Sequence, residues 1–128
     1  PDAVFIGGGV SEAGVFEAIL VREGTVTEGS VSNVMVVRNG AVQTAPEGRR
    51  ILSGVTRAIV LDLARKEGIP VAESFVTREE LLAASEVFLT GTTVEVLPVV
   101  RVDGHAIGGG SPGPVSQLLS RRFEALVG

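Results

Sequence analysis

The sequence has no cysteine, tryptophan or tyrosine, and only one lysine, one histidine and one methionine. Without cysteine there is no disulfide framework and no thiolate metal site. A single histidine, His105, excludes zinc sites built on several imidazoles and gives poor support to a Ser–His nucleophile pair. EF-hand spacing is absent. Basic residues are few and nearly all arginine, with Arg49–Arg50 and Arg121–Arg122 as the only arginine pairs, and the net charge is −4. A duplex-binding surface needs clustered cations, so nucleic acid is not an expected partner. No run approaches the roughly 18 uncharged apolar residues of a membrane span, so no membrane association is expected. No basic segment leads into an apolar run at Pro1–Val4, so no secretory signal is expected and a cytoplasmic location is.

What is present fits one globular domain over residues 1–128. Domains commonly run about 100–200 residues, and a chain of this size buries roughly two thirds of its unfolded surface. The composition is 45% hydrophobic and 20% charged, far too apolar for disorder.

The chain shows no internal repeat and no Pro/Ser linker. Ala3–Ile6 reads as a buried strand running into Gly7-Gly8-Gly9. Glu17–Arg22 fits either the end of a helix or a strand, and Glu23-Gly24 is a turn. Asn33–Arg38 and Ala41–Thr44 flank Asn39-Gly40, the strongest short hairpin signal. Pro46–Arg50 is a polar loop. Thr56–Glu67 has apolar residues at helical spacing, with Gly68 as its stop and Pro70 beyond. Val71–Val76 alternates like one strand. Thr77-Arg78-Glu79-Glu80 is a capping box opening a short helix. Val87–Leu89 and Val94–Val102 are strands, and Asp103-Gly104 is a second hairpin turn. Pro114 sits in the first turn of a last helix reaching Leu126. Two or three helices among six or so strands make a mixed α/β or α+β domain.

Three segments carry candidate chemistry. In Thr27–Asn33, a carboxylate followed by small hydroxyl residues lies between strands. Glu28 reads first as a solvated glutamate and second as a partner for a heterocyclic cation. Leu52–Arg57 opens the best helix, where free N–H groups attract an anion. Gly54 lets a phosphate approach the backbone and Thr56 adds a hydroxyl, although an ordinary Ser or Thr cap explains the same residues. Thr90–Thr93 follows a strand, at the kind of carboxyl end where α/β ligands bind, or it is a plain turn. Gly7-Gly8-Gly9 lacks the dinucleotide pattern. His105 reads as a solvated hairpin residue, and Gly108–Gly113 as the turn before the last helix. Lys66 falls in a last helical turn, where a cation suits the helix dipole.

In order and spacing, EAILVREGTVTEGSVSNVMVV (17–37), ILSGVTRAIVLDLARKEGIPVAE (51–73), LLAASEVFLTGTTVEVLPVVRVDG (81–104) and IGGGSPGPVSQLL (107–119) resemble the C-terminal large-domain half of the class IV aminotransferases. This is the fold-type-IV pyridoxal phosphate family, which includes branched-chain and D-amino-acid aminotransferases and aminodeoxychorismate lyase. The likeness runs from about Ala13 to the end. It implies a mixed sheet or pseudo-barrel with about three helices. It also implies that Glu28 pairs with the pyridinium nitrogen and that Leu52 packs on the ring. Gly54, Val55 and Thr56 would hold the phosphate, with a hydroxyl from Thr92, and the Thr92–Thr93 turn would hold the substrate carboxylate. The family attaches its cofactor to a lysine ahead of the EAILV-like strand. This sequence has no lysine there, and Lys66 matches a different helix. At 128 residues the chain would be about half of such an enzyme.

Residues 1–14, PDAVFIGGGVSEAG, instead look like a short piece of the precorrin decarboxylating methyltransferases of cobalamin synthesis. A chimeric or truncated fragment without activity of its own is therefore expected, with residual phosphate or pyridoxal phosphate binding. The alternative is a working aminotransferase or lyase whose missing parts come from elsewhere. Loss of a neighbouring domain would expose an apolar patch and favour a homo-oligomer. Alternatively, Ala3–Ile6 would add as a new strand covering an open sheet edge.

Overall fold

A computed structural model of the chain describes residues 2–8, 16–22, 25–29, 33–46, 54–91, 95–102 and 105–127. For the first three stretches, and for Arg78, only the backbone is described. The strands are β1 (Asp2–Gly8), β2 (Phe16–Arg22), β3 (Thr25–Gly29), β4 (Asn33–Arg38), β5 (Ala41–Thr44), β6 (Val71–Glu73), β7 (Val76–Thr77), β8 (Glu86–Gly91), β9 (Glu95–Val102) and β10 (His105–Ala106). The helices are α1 (Val55–Lys66), α2 (Arg78–Ala83) and α3 (Pro114–Val127). The mixed α+β class is as expected, with more and shorter strands than the sequence pattern suggested. The ambiguous EAILVR stretch lies in a strand, β2.

Local chemistry accounts for the element ends. Asn39 and Gly40 both have positive φ (52° and 77°), the pair of values that a two-residue hairpin turn of matching twist requires. Helix α1 ends in a Schellman motif. Gly68 takes φ 76°, its N–H donates to the Arg65 carbonyl, and the Ile69 N–H donates to that of Ala64. At α2 the expected capping box forms in both directions, Glu80 N–H to Thr77 Oγ1 (3.1 Å) and Thr77 N–H to Glu80 Oε1 (2.9 Å).

One sheet runs in the order β6-β5-β4-β8-β9-β1-β2-β3-β7, with β10 paired on β9. Its edge strands β6 and β7 are consecutive in the chain and joined only by Ser74-Phe75. A link that short keeps Glu73 and Val76 within about 11 Å, so the sheet curls until its two edges meet. This is the pseudo-barrel. It corrects the single strand expected over Val71–Val76. β6 pairs parallel with β5 and β7 antiparallel with β3, so the extended run changes partner at Ser74-Phe75. Hydrogen bonds hold the switch in place. The Ser74 N–H donates to the Thr44 carbonyl (2.9 Å), and Gln43 Nε2 donates to Ser74 Oγ and to the Phe75 carbonyl (3.1 Å each). β1 does not cover an edge either, because it is paired on both sides, to β9 and to β2.

The two faces carry separate cores. Met35, Val37, Val42, Phe88 and Val96 pack with Val60, Leu61 and Ala64 of α1 and Leu119 and Phe123 of α3. Their sequence neighbours Val34, Val36, Val87 and Leu89 point the other way, onto Val99, Val102, Val76, Leu81, Ala84 and Ile107. Val76, from the far edge strand, reaches this second cluster because the sheet curls. Phe88 and Met35 are fully buried, and side chains of that size contribute about 1.5–3 kcal/mol each. Pro98 is tolerated in β9 because, among the described residues, the β1 ladder spans Val99–Val102 and stops short of it.

Candidate functional site

The strand registers bring several polar residues to one end of the sheet. Asn33, first in β4, lies opposite Thr90, near the end of β8. Thr90 lies opposite Val96 at the start of β9, and Thr44 of β5 lies opposite Glu73 of β6. Three segments attach at this end: the one between Gly29 and Asn33, the one between Pro46 and Gly54, and the one between Gly91 and Glu95. They overlap the three segments singled out from the sequence, Thr27–Asn33, Leu52–Arg57 and Thr90–Thr93. Glu95, which closes the third, has a positive φ of 57°, a conformation a glutamate adopts only under local constraint.

Helix α1 begins at the same end. Its N-cap is Gly54, in extended conformation, with no side-chain hydrogen bond to the cap and no acidic residue in the first turn. The ordinary serine or threonine cap is therefore not what forms. Asn33 and Thr90 share the helix-facing side of the sheet with Met35 and Phe88, by strand alternation. Gly54 rests directly on Asn33, since a Cβ there would stand 2.8 Å from Asn33 Oδ1. Asn33 is itself buried, so it has no room to yield.

The next residues diverge in exposure. Val55 is 78% exposed, whereas Thr56 and Arg57 are buried. Arg57 Nη2 donates to the Ala45 carbonyl (2.9 Å) and to Glu73 Oε1 (2.8 Å). Thr90 is fully buried, and its hydroxyl has no hydrogen-bond partner among the described residues. A helix N-terminus carries roughly half a positive charge. Here it is joined by a buried guanidinium and by no first-turn carboxylate. Together with the Val55 and Thr56 N–H groups, which no described side chain caps, and the Thr90 hydroxyl, this donor set suits an oxyanion such as a phosphate.

Of the residues expected in the site, Gly54, Val55 and Thr56 come together at this helix end. Glu28 lies in β3, opposite Leu20, with its backbone alone described. Leu52, Thr92 and Thr93 lie outside the described residues, as do the turns at Glu23-Gly24 and Asp103-Gly104. His105 is exposed in β10, beside Val102 and so at the opposite end of β9 from Val96. Lys66 is in the last turn of α1, about 16 Å along the helix from Val55 by helical rise, with its amine 3.1 Å from Asp62. Asn33, Arg57 and Thr90 were not singled out as individual site residues. Arg57 adjoins the recognised Gly54–Thr56 run, but the Asn33–Thr90 pair depends on a strand pairing that local pattern does not reveal.

A groove of about 390 Å³ lies elsewhere, between β9 and α3, lined by Leu97, Pro98, Pro112, Gln117 and Arg121 among others. None of the expected site residues lines it. Among the described residues no group of three or more His, Cys, Asp or Glu is placed to hold a metal, and no helix is long and apolar enough to cross a membrane.

Residues 7–102 match the family model described as Amino-transferase class IV. The D-alanine aminotransferase of Bacillus licheniformis is 48% identical over 113 residues, covering 88% of this chain and 40% of that protein. The branched-chain aminotransferase of the archaeon Thermoproteus uzoniensis, solved with norvaline, superposes with a TM-score of 0.82 at 40% identity, over 87% of this chain and 37% of that one. The T.th. branched-chain amino acid aminotransferase, solved with pyridoxamine 5′-phosphate, gives a TM-score of 0.80 at 40% identity, over 84% and 36%. The chain thus spans about two fifths of the length of these relatives, not the expected half. The family match also begins at Gly7, inside the segment read from sequence as foreign.

Proposed function

The chain belongs to the class IV aminotransferases, and on that premise we propose that it forms the phosphate- and ring-holding wall of a pyridoxal phosphate site and has no amino-transfer activity of its own. One observation carries the reading: α1 opens on a glycine N-cap, with no acid in its first turn, at the end of the sheet where the three candidate segments attach.

In this reading the Val55 and Thr56 N–H groups donate to the phosphate, with hydroxyls from Thr56 and Thr92. Gly54 keeps the approach clear of a side chain. Leu52 packs on one face of the ring, Glu28 holds a proton on the ring nitrogen, and the Thr92–Thr93 turn orients the substrate carboxylate. The bound cofactor supplies an electron sink for a carbanion at the amino-acid α-carbon. What these 128 residues lack is a lysine at the site. The sole lysine, Lys66, stands at the far end of α1, so the chain has neither a covalent anchor nor an amine to move the α-proton. A methyltransferase-like origin stays, in this reading, with residues 1–14, of which residues 7–14 also fall within the family match.

A second reading has one supporting observation, the greater length of the relatives. There the chain is the cofactor wall of a complete aminotransferase or lyase whose remaining parts lie elsewhere.

Two measurements test the proposal. The chain is mixed with pyridoxal phosphate, reduced with borohydride and weighed. Adducts are expected only at Lys66 or the N-terminal amine, unaffected by Glu28→Ala or Thr56→Ala. Pyridoxamine 5′-phosphate is expected to bind saturably, and more weakly to Thr56→Ala. Turnover of an amino acid by this chain alone would overturn the claim of no activity, and non-saturable binding would overturn the cofactor wall.

A further inference from the structure

We infer that Arg57 is a positioning residue for the phosphate end of this site, acting through the first turn of α1. The inference rests on the cofactor-wall reading above. A cation in the first turn of a helix opposes the helix dipole, and the ordinary place for one is the last turn, where α1 carries Arg65 and Lys66. The Arg57 side chain is also only 3% exposed, so its charge is stripped of water and answered by a carboxylate, Glu73, that is 41% exposed. For stability alone, an apolar side chain of similar volume serves such a position as well or better.

The two bonds of Arg57 show what the cation achieves. One nitrogen is shared between the Ala45 carbonyl, just past the end of β5, and Glu73, the last residue of β6. Glu73 is approached in turn by Arg65, two turns further along α1 (3.7 Å). Gly54 presses on Asn33 at the start of β4. The first turn of α1 is thus located against three neighbouring strand ends, β4, β5 and β6, and Arg57 supplies two of the three anchors. The direction in which the Val55 and Thr56 N–H groups point follows from those anchors. Displacements of about an ångström are enough to spoil convergent hydrogen bonds. A lysine keeps the charge, but its shorter side chain and freely rotating ammonium do not hold one nitrogen at both acceptors as the guanidinium plane holds Nη2.

The test compares pyridoxamine 5′-phosphate with pyridoxamine, by ligand fluorescence, on the wild-type chain, Arg57→Lys and Glu73→Ala. The chain has no tryptophan or tyrosine, so ligand emission is read without interference. Both variants are expected to bind the phosphate ester about tenfold more weakly, the scale of one charge-assisted hydrogen bond. Both are expected to bind pyridoxamine as wild type does. Amide exchange at Ala58, whose N–H closes the first turn onto the Gly54 carbonyl, is expected to quicken while exchange at residues 60–66 does not. Tighter ester binding by Glu73→Ala would overturn the inference in favour of a bare field effect of the cation relieved of Glu73. An equal loss for both ligands with a lowered Tm would reduce Arg57 to a structural residue. Unchanged Ala58 exchange would overturn it as well. A wild-type chain that does not prefer the ester would instead defeat the cofactor-wall reading, with Ala58 exchange still deciding whether Arg57 anchors the turn.

Discussion

The three α-helices among the described residues begin in different ways. α2 is closed by its own sequence, with Thr77 and Glu80 bonded reciprocally and two glutamates in its first turn. α3 is closed from a distance. Buried Glu86 of β8 accepts from the Val115 N–H (Oε2, 3.0 Å) and the Ser116 N–H (Oε1, 2.8 Å). Gly113 makes room for that carboxylate, since a side chain there would overlap Glu86. α1 has neither device, and carries a buried arginine where the other two have an acid. Two helix ends therefore receive an anion from the fold itself. The third receives none from the described residues, and it stands where Asn33, Thr90 and the three candidate segments converge.

That contrast can be broken at each helix in turn. The largest effect is expected at α3. Glu86→Ala strands two N–H groups at a buried helix end and should cost about 2–4 kcal/mol in urea denaturation, without changing any preference for a phosphate ester. At α2, Thr77→Ala removes the cap acceptor and should cost about 1 kcal/mol.

The same box sets a pH dependence. The Glu80 pKa is lowered from its ordinary 4.5, chiefly by the Thr77 backbone hydrogen bond, with smaller help from the Thr77 hydroxyl and Arg38 and against a desolvation that raises it. A folded-state value below the unfolded one means a stabilisation fully present above about pH 4.5 and lost as pH falls further. Glu80→Gln should therefore destabilise at neutral pH and converge on wild type in acid.

At α1 the sign reverses. Val55→Glu, at a 78% exposed position, places an acid in the open turn and should stabilise the chain by about 0.3–1 kcal/mol while repelling a phosphate. The smallest effect is expected at Lys66. Its exposed pair with Asp62 is worth about 0.3–0.5 kcal/mol, and Lys66→Ala should leave ligand binding unchanged.

The α2 cap was legible in the sequence because a capping box is a local pattern of four residues. So were the Asn39-Gly40 turn and the Gly68 stop, each set by a glycine's access to positive φ. The strand switch at Ser74 was not, since nothing between Val71 and Val76 breaks the extended run while its hydrogen-bond partner changes. The cap of α3 was hidden for a related reason. Glu86 lies about thirty residues ahead of the N–H groups it serves, and nothing local distinguishes it from a surface glutamate. Gly54, Val55 and Thr56 were found because the signal of an anion-binding helix start is contiguous. Asn33 and Thr90 meet only through the β4–β8 register, which joins residues 57 positions apart. The resemblance to class IV aminotransferases supplied the order of the segments, and the registers supply the reason they attach at one end of the sheet.

The central claim is that the α1 N-terminus, and not those of α2 or α3, accepts the phosphate. The most direct measurement is an amide chemical-shift titration of the ¹⁵N-labelled chain with pyridoxamine 5′-phosphate. The account predicts saturable shifts at Val55, Thr56 and Arg57, with Glu80, Val115 and Ser116 unmoved. Shifts centred on Val115 and Ser116, or none in the first turn of α1, would contradict it.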